Sequence, residues 1–267
     1  MSTLMQKFAR LMALFVSLLA LTAANPMRIY KTESSLDKRD IIRPIPEAQD
    51  SLEITLQPLL DFDKDGCYNT AAIDPDGNTN PGKQATGTPE GQCRDKVQLQ
   101  NSNVYSRKRC NNGYCAVMYE YYFEKDQAAL GTYGTGHRHD WENIIVFSKG
   151  NDVVRVAPSC HADYKGASNI FPYNDKHPLV VYHKDGAGTH CFRIANDDDV
   201  QHPEDAFGVF YRSPLVGWDY WPSASLRQKM LDTWSGGIGP KLDSEFGDSL
   251  KRAAGNALPS FDPYSDS

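Results

Sequence analysis

Gly136-His137-Arg138-His139-Asp140-Trp141-Glu142 places two imidazoles and two carboxylates within seven residues, just ahead of the apolar run Ile144-Ile145-Val146-Phe147. Charge carried to the start of a buried strand must be matched, because unpaired buried charge is costly. A bound cation is the simplest match, and a strand end salt-bridged by Arg138 is the alternative. If the segment is already extended at Asp140, side chains alternate, so Asp140 and Glu142 share one face while His139 and Trp141 take the other. Gly134 and Gly136 allow a turn just upstream, from which His137 can swing to the carboxylate side. Two or more carboxylates with at most one imidazole suit a hard ion such as Mg2+, Ca2+ or Mn2+ better than zinc.

Such a cluster can work as a reaction centre or as a grip. The enzyme reading, a metal-dependent hydrolase with His139 or His161 as general base, lacks a His-Glu-x-x-His helix, a Gly-x-Ser-x-Gly elbow or a Cys-His pair free of disulfides. The binding reading uses a partly hydrated cation to coordinate sugar hydroxyls while aromatic side chains stack on the ring. The choice between the two comes from a family resemblance, which implies a binder and not an enzyme.

The heptapeptide resembles the signature of the necrosis- and ethylene-inducing peptide-like proteins, the necrosis-inducing protein family of plant-associated fungi, oomycetes and bacteria. The likeness continues through Cys115-Ala116-Val117-Met118-Tyr119-Glu120-Tyr121-Tyr122-Phe123-Glu124-Lys125-Asp126, Asp65-Gly66-Cys67-Tyr68-Asn69 and Gly91-Gln92-Cys93-Arg94-Asp95, so it spans most of the chain from about Ser51. It implies a mostly β, single-domain sandwich with peripheral helices, related in shape to pore-forming cytolysins and fungal lectins. It implies a divalent cation, Mg2+ or Ca2+, held by Asp126, His137, Asp140 and Glu142. It further implies a pocket for glycosylated sphingolipid head groups of the plant plasma membrane, with His139, His161 and His190 as candidate lining. Membrane damage, necrosis and recognition of the 115–142 stretch by a plant immune receptor follow from the same resemblance; a non-toxic binder with the same site is the alternative. Gln127 to Thr135 is longer than the family's usual connection, which bears on Asp126 and on the mouth of the pocket.

Export fits this reading. Lys7 and Arg10 precede an apolar stretch from Leu11 to Leu21 and the small residues Thr22-Ala23-Ala24, as in a signal peptide covering 1–24. Residues 25–39 end in the dibasic pair Lys38-Arg39, a propeptide site that leaves 40–267 as the mature domain. Removing 1–39 leaves 22 Lys+Arg against 32 Asp+Glu, a net charge of -10. Bulk attraction to nucleic acid or anionic lipid is therefore excluded, and membrane contact requires head-group recognition.

The six cysteines of an exported chain read most simply as three disulfides. Many connectivities exist, and chain order suggests Cys67–Cys93, Cys110–Cys115 and Cys160–Cys191. One family subgroup carries the extra pair before the Tyr-rich strand, matching Cys110 and Cys115.

The elements that must position these groups read as strands first and helices late. Candidate strands are Ala116–Phe123, Asn143–Phe147, Val153–Pro158, Leu179–Tyr182 and Cys191–Ile194, separated by Gly, Asn and Asp clusters. Val117, Tyr119, Tyr121 and Phe123 form one apolar face, with Met118 and Tyr122 on the other, as a strand covered on both sides requires. Ser223 is expected to cap a helix carrying Leu226, Met230 and Trp234; a second, with Phe246, Leu250 and Ala254, stops at Gly255. The polar segment Asp61 to Arg94 reads as an ordered loop held by a disulfide. Its opening Asp61-Phe62-Asp63-Lys64-Asp65-Gly66 imitates a calcium loop but has Ala72 where Glu is needed, and so reads as a solvated acidic turn. His177, His183 and His202 are expected at the surface.

Overall fold

The computed structural model describes residues 41–131, 135–235 and 237–266, so the expected signal peptide and propeptide lie outside the described residues. Along the chain these residues form α1 (Ser51–Thr55), β1 (Leu59–Phe62), α2 (Lys96–Gln100), β2 (Val104–Asn111), β3 (Tyr114–Gln127), β4 (Gly136–Lys149), β5 (Asp152–Pro158) and β6 (Tyr173–Asn174). There follow β7 (His177–Lys184), β8 (His190–Ile194), α3 (Asp197–Gln201), β9 (Leu215–Gly217), α4 (Ala224–Thr233) and α5 (Phe246–Ala254).

Two sheets result. One has the order β5-β4-β3-β2-β9, and the other is built around β7, flanked by β1, β6 and β8. The longest pairing is the antiparallel ladder of β3 with β4, which sets Tyr121 opposite Glu142, Phe123 opposite Asp140 and Asp126 opposite His137. Asn112 and Gly113 both take positive φ, 49° and 79°, in the two-residue turn from β2 to β3. That is the primed hairpin geometry Asn-Gly favours, and Cys110–Cys115 closes it.

Alternation explains why β3 is buried on both faces. Tyr119, Tyr121 and Phe123 pack with Val180, Tyr182 and Phe192 between the sheets, giving the sandwich core. Phe123 stacks on Tyr182 with ring centroids 3.9 Å apart. Met118, Tyr122, Trp141, Ile145 and Phe147 point the other way, onto Met230 and Trp234 of α4 and its end and Phe246 and Leu250 of α5. Ser223 Oγ accepts from the Leu226 amide at 3.1 Å to start α4, and Gly255 with φ 53° ends α5.

The five strand segments expected from sequence all form, most of them longer than their apolar runs because cross-strand pairing extends into polar flanks. The short strands β1, β6 and β9, and the longer but polar and basic β2 (Val104–Asn111), lack enough apolar alternation to be read alone. The Asp61 turn is corrected: Asp61 lies within β1, is 1% exposed, and its Oδ1 accepts the Glu204 and Asp205 amides at 2.9 and 3.0 Å. Much of the segment up to Arg94 is buried, with Arg94 donating to the carbonyls of Phe62, Asp63, Gly66 and Glu204, each at 2.7 Å. His177 and His183 are half-buried rather than superficial, and His177 Nδ1 lies 2.8 Å from the Gln57 carbonyl.

Trp141 sits among Tyr105, Tyr122 and Trp234, with centroids 5.3 to 5.8 Å away, and is 7% exposed. Trp141→Ala should therefore cost about 3 to 5 kcal/mol through lost contacts and an unfilled cavity. Chemical denaturation of the two proteins checks this; a loss under 1 kcal/mol would remove Trp141 from the core.

Candidate functional site

The site is built where β3 and β4 meet the end of β8. Strict alternation would put His137 on the side of His139 and Trp141, away from Asp140 and Glu142. The backbone of His139 adopts φ 61°, a left-handed conformation that interrupts the extended run and returns His137 to the carboxylate side. The sequence placed this departure at Gly134, which lies outside the described residues, and Gly136; the described backbone departs at His139, with His137 Nδ1 2.7 Å from the His139 carbonyl oxygen. Gly136 is needed for a different reason, since a Cβ there would lie 2.0 Å from the Asp126 carbonyl oxygen.

The consequence is a meeting of Asp126, His137 and Asp140, whose donor atoms all lie within 4.8 Å of one another. Glu142 lines the same cavity, of about 180 Å³, but stands beside this trio with its Oε2 accepting from Ser159 Oγ. Tyr182 Oη donates to Asp140 Oδ2 at 3.2 Å. Arg138 is exposed, and among the described residues no ion pair joins it to Asp140 or Glu142, so it does not neutralise them.

His190 and His161 both line the cavity, on two levels. His190 is 2% exposed and holds Asp126: its amide lies 2.9 Å from Oδ2 and its Nδ1 2.8 Å from Oδ1. Asp65 approaches the other ring nitrogen at 3.3 Å, and Tyr182 stacks beneath the ring. His161 sits at the half-exposed rim, its Nε2 3.2 Å from Asp185. Cys160–Cys191 fastens both histidines to one corner of the fold. With both sulfurs in that bond, the neighbouring group Cys160, His161, Asp185 and Cys191 lacks the thiolates a metal would use.

His139 is the correction. Its ring turns to the opposite face, 2.6 Å from Tyr122 Oη and edge-on to Trp234, so it does not line the cavity. Ser159, Tyr182, Lys241 and Arg252 are contributors that the sequence reading missed. Only Ser159, beside Cys160-His161, carried a local signal, because the others come from distant elements.

Crowded burial dominates the electrostatics. Desolvation and then the charge of Asp126 push the Asp140 carboxyl up to about 7, and desolvation and then Asp140 push Glu142 well above the usual range. Burial alone would depress His190, but its bonds to Asp126 and the charges of Asp126 and Asp65 raise it. Two buried carboxylates and an imidazole form a mostly oxygen donor set that fits a hard divalent cation, and a cation is the charge that would reverse both carboxyl shifts.

The sign of the pH effect follows. A carboxyl whose folded-state pKa is raised stays protonated in the native state while the unfolded state has released its proton. Its stabilising contribution is complete below about 4 and is lost as pH rises toward 7. Glu53, near 7, and Glu120, near 8, act in the same direction. In chelator, the melting temperature should fall between pH 4.5 and 7.5, Asp140→Asn should flatten the fall, and a divalent ion should restore stability at the upper end. A melting temperature insensitive to both changes would contradict this charge assignment.

Comparison with known proteins gives these contacts a context. A model of the family described as Necrosis inducing protein (NPP1) matches residues 50–253. The chain is 34% identical over 139 residues to NLP effector protein 10 of Phytophthora capsici, covering 49% of this chain and 57% of that one. It is 36% identical over 104 residues to Necrosis-inducing protein NPP1 of Phytophthora nicotianae, covering 37% and 42%. The alignments thus span about half the length of the curated relatives. Among solved structures, NLPPya in complex with mannosamine superposes with TM-score 0.66 at 27% identity, covering 80% of this chain and 96% of that one. Non-toxic HaNLP3 gives 0.65 at 27%, covering 80% and 97%. With the family match extending over most of its length, the chain belongs to the necrosis-inducing protein (NPP1) family.

Proposed function

We propose that this is a secreted, metal-dependent binder of the sugar head groups of plant plasma-membrane sphingolipids, acting as a cytolytic, necrosis-inducing virulence factor and as an elicitor of plant defence. The reading includes removal of a signal peptide near Ala24 and action outside the producing cell. The observation that carries it is the convergence of Asp126, His137 and Asp140 in one cavity with Glu142 beside them. A bound Mg2+ or Ca2+ would supply a positive charge and exchangeable oxygen positions there. Asp126, fixed by His190, and Asp140, fixed by Tyr182, would hold the ion with His137, and Glu142 would be available to sugar hydroxyls.

Solved relatives bound to mannosamine and glucosamine support a sugar ligand. The reading is of recognition, not turnover. His161, the cavity histidine at the open rim, has no serine or free cysteine nucleophile to activate among the described residues in its hydrogen bonds. Likeness to non-toxic HaNLP3 favours a second reading, a binder with the same site that does not lyse cells.

Leakage from vesicles containing plant glycosylinositol phosphorylceramide separates the two. The cytolytic reading predicts dye release in the presence of Mg2+ or Ca2+, abolished by a chelator and by Asp140→Ala, whose far-ultraviolet circular dichroism should match the parent. Binding without leakage would select the non-toxic reading, and no binding under any ion would end both.

A further inference from the structure

A second set of metal-ligating residue types meets at the corner fastened by Cys160–Cys191. Cys160, His161, Asp185 and Cys191 each bring a donor atom to within 4.8 Å of the others, and they share no residue with the trio of Asp126, His137 and Asp140. His161 Nε2 lies 3.2 Å from Asp185 Oδ2, and the same oxygen lies 3.8 Å from Cys160 Sγ. A further imidazole stands close by: His183 Nε2 is 3.8 Å from Cys191 Sγ, across the β7–β8 ladder that pairs the two residues. Among the described residues, neither of the other two disulfides belongs to such a group. A tetrahedral zinc, with bonds of about 2.0 to 2.3 Å, sets its ligand atoms about 3.3 to 3.8 Å apart. The imidazole, the carboxylate and the Cys160 sulfur therefore already stand close to ligand spacing, and only the two sulfurs must part.

We propose that this corner is a redox-gated zinc site: a low-molecular-weight thiol reduces Cys160–Cys191, and the freed sulfurs bind Zn2+ together with His161 and Asp185. The reductant's thiolate attacks Cys160 Sγ, the less buried sulfur, and Cys191 leaves as a thiolate beside His183. A second thiol resolves the mixed disulfide, so two thiols become one disulfide while the protein's bond takes up two electrons and two protons. Zinc displaces those two protons, because its sulfur ligands are thiolates. Two sulfurs with one imidazole and one carboxylate suit zinc rather than Mg2+ or Ca2+. The frame that carries the donors does not depend on the bond being reduced. The Cys160 amide donates to the Asp163 carbonyl at 2.8 Å, and the Asp185 amide to the Thr189 carbonyl at 3.0 Å, so each turn is closed on itself. The Phe192 amide donates to the Ser159 carbonyl at 3.0 Å, joining the same two segments that the disulfide joins. Zinc then replaces a covalent tether with a coordinate one, and through His161 it ties the rim of the cavity to the redox state.

Zinc titration of the full-length secreted protein, before and after reduction by a phosphine that adds no competing thiol, tests this. Reduction should add one Zn2+ per chain to whatever the oxidised protein binds. Co2+ in its place should show sulfur-to-metal charge transfer and the visible bands of a tetrahedral site. Asp185→Asn keeps the disulfide but removes one ligand, and should weaken the added zinc by at least about tenfold, the cost of losing even an outer partner of a metal site. The double variant Cys160→Ser/Cys191→Ser, which retains the other four cysteines, should gain no zinc on reduction. No added zinc in the parent, or added zinc indifferent to Asp185→Asn or to loss of both cysteines, overturns the site and leaves the reading of the cavity untouched.

Discussion

The structure turns on the proximity of Asp126 and Asp140, two carboxylates held beside an imidazole at the end of the sandwich with almost no exposure to water. Burial and then the charge of Asp126 oppose the ionisation of Asp140, and among the described residues neither carboxylate is bonded to a lysine or an arginine. Asp126 is gripped by His190 and Asp140 by Tyr182, so both are fixed in direction without being fully neutralised. A fold keeps such an arrangement only if surrounding structure enforces it. Here the enforcement is visible: the stacked rings of Phe123, Tyr182 and His190, the Cys160–Cys191 bond, and the long β3–β4 ladder.

The same constraint explains the hairpin. β3 and β4 must be covered on both faces to be stable, so their side chains are shared between the second sheet and α4 and α5. Alternation alone would then divide the heptapeptide between two faces. His139 resolves this by leaving extended geometry at one residue, which lets His137 join Asp140 while its own ring joins the aromatic cluster of Tyr122 and Trp234. One strained backbone position thereby serves both the cation site and the core.

Much of this was legible in the residues. The apolar runs marked the central strands, Ser223 and Gly255 marked helix ends, and the parity of Asp140 and Glu142 against Trp141 was read correctly. His139 was misjudged as cavity lining on the resemblance alone; strand parity had set it on the face of Trp141, where its ring lies against Tyr122 and Trp234. Asp61 was misread because its partners, the amides of Glu204 and Asp205, lie over 140 residues away. Arg252 reaches the cavity, and Tyr182 reaches Asp140 behind it, through tertiary packing, which leaves no local pattern. The role of the family motif came from resemblance, whereas the positions of its side chains came from geometry.

Isothermal titration of Mg2+ and Ca2+ into the metal-stripped protein tests the central claim most directly. The account predicts saturable binding of one ion per chain, lost in Asp140→Ala and in Asp126→Ala under conditions where both variants remain folded. Absence of binding in the parent protein, or equal binding after either carboxylate is removed, would contradict it.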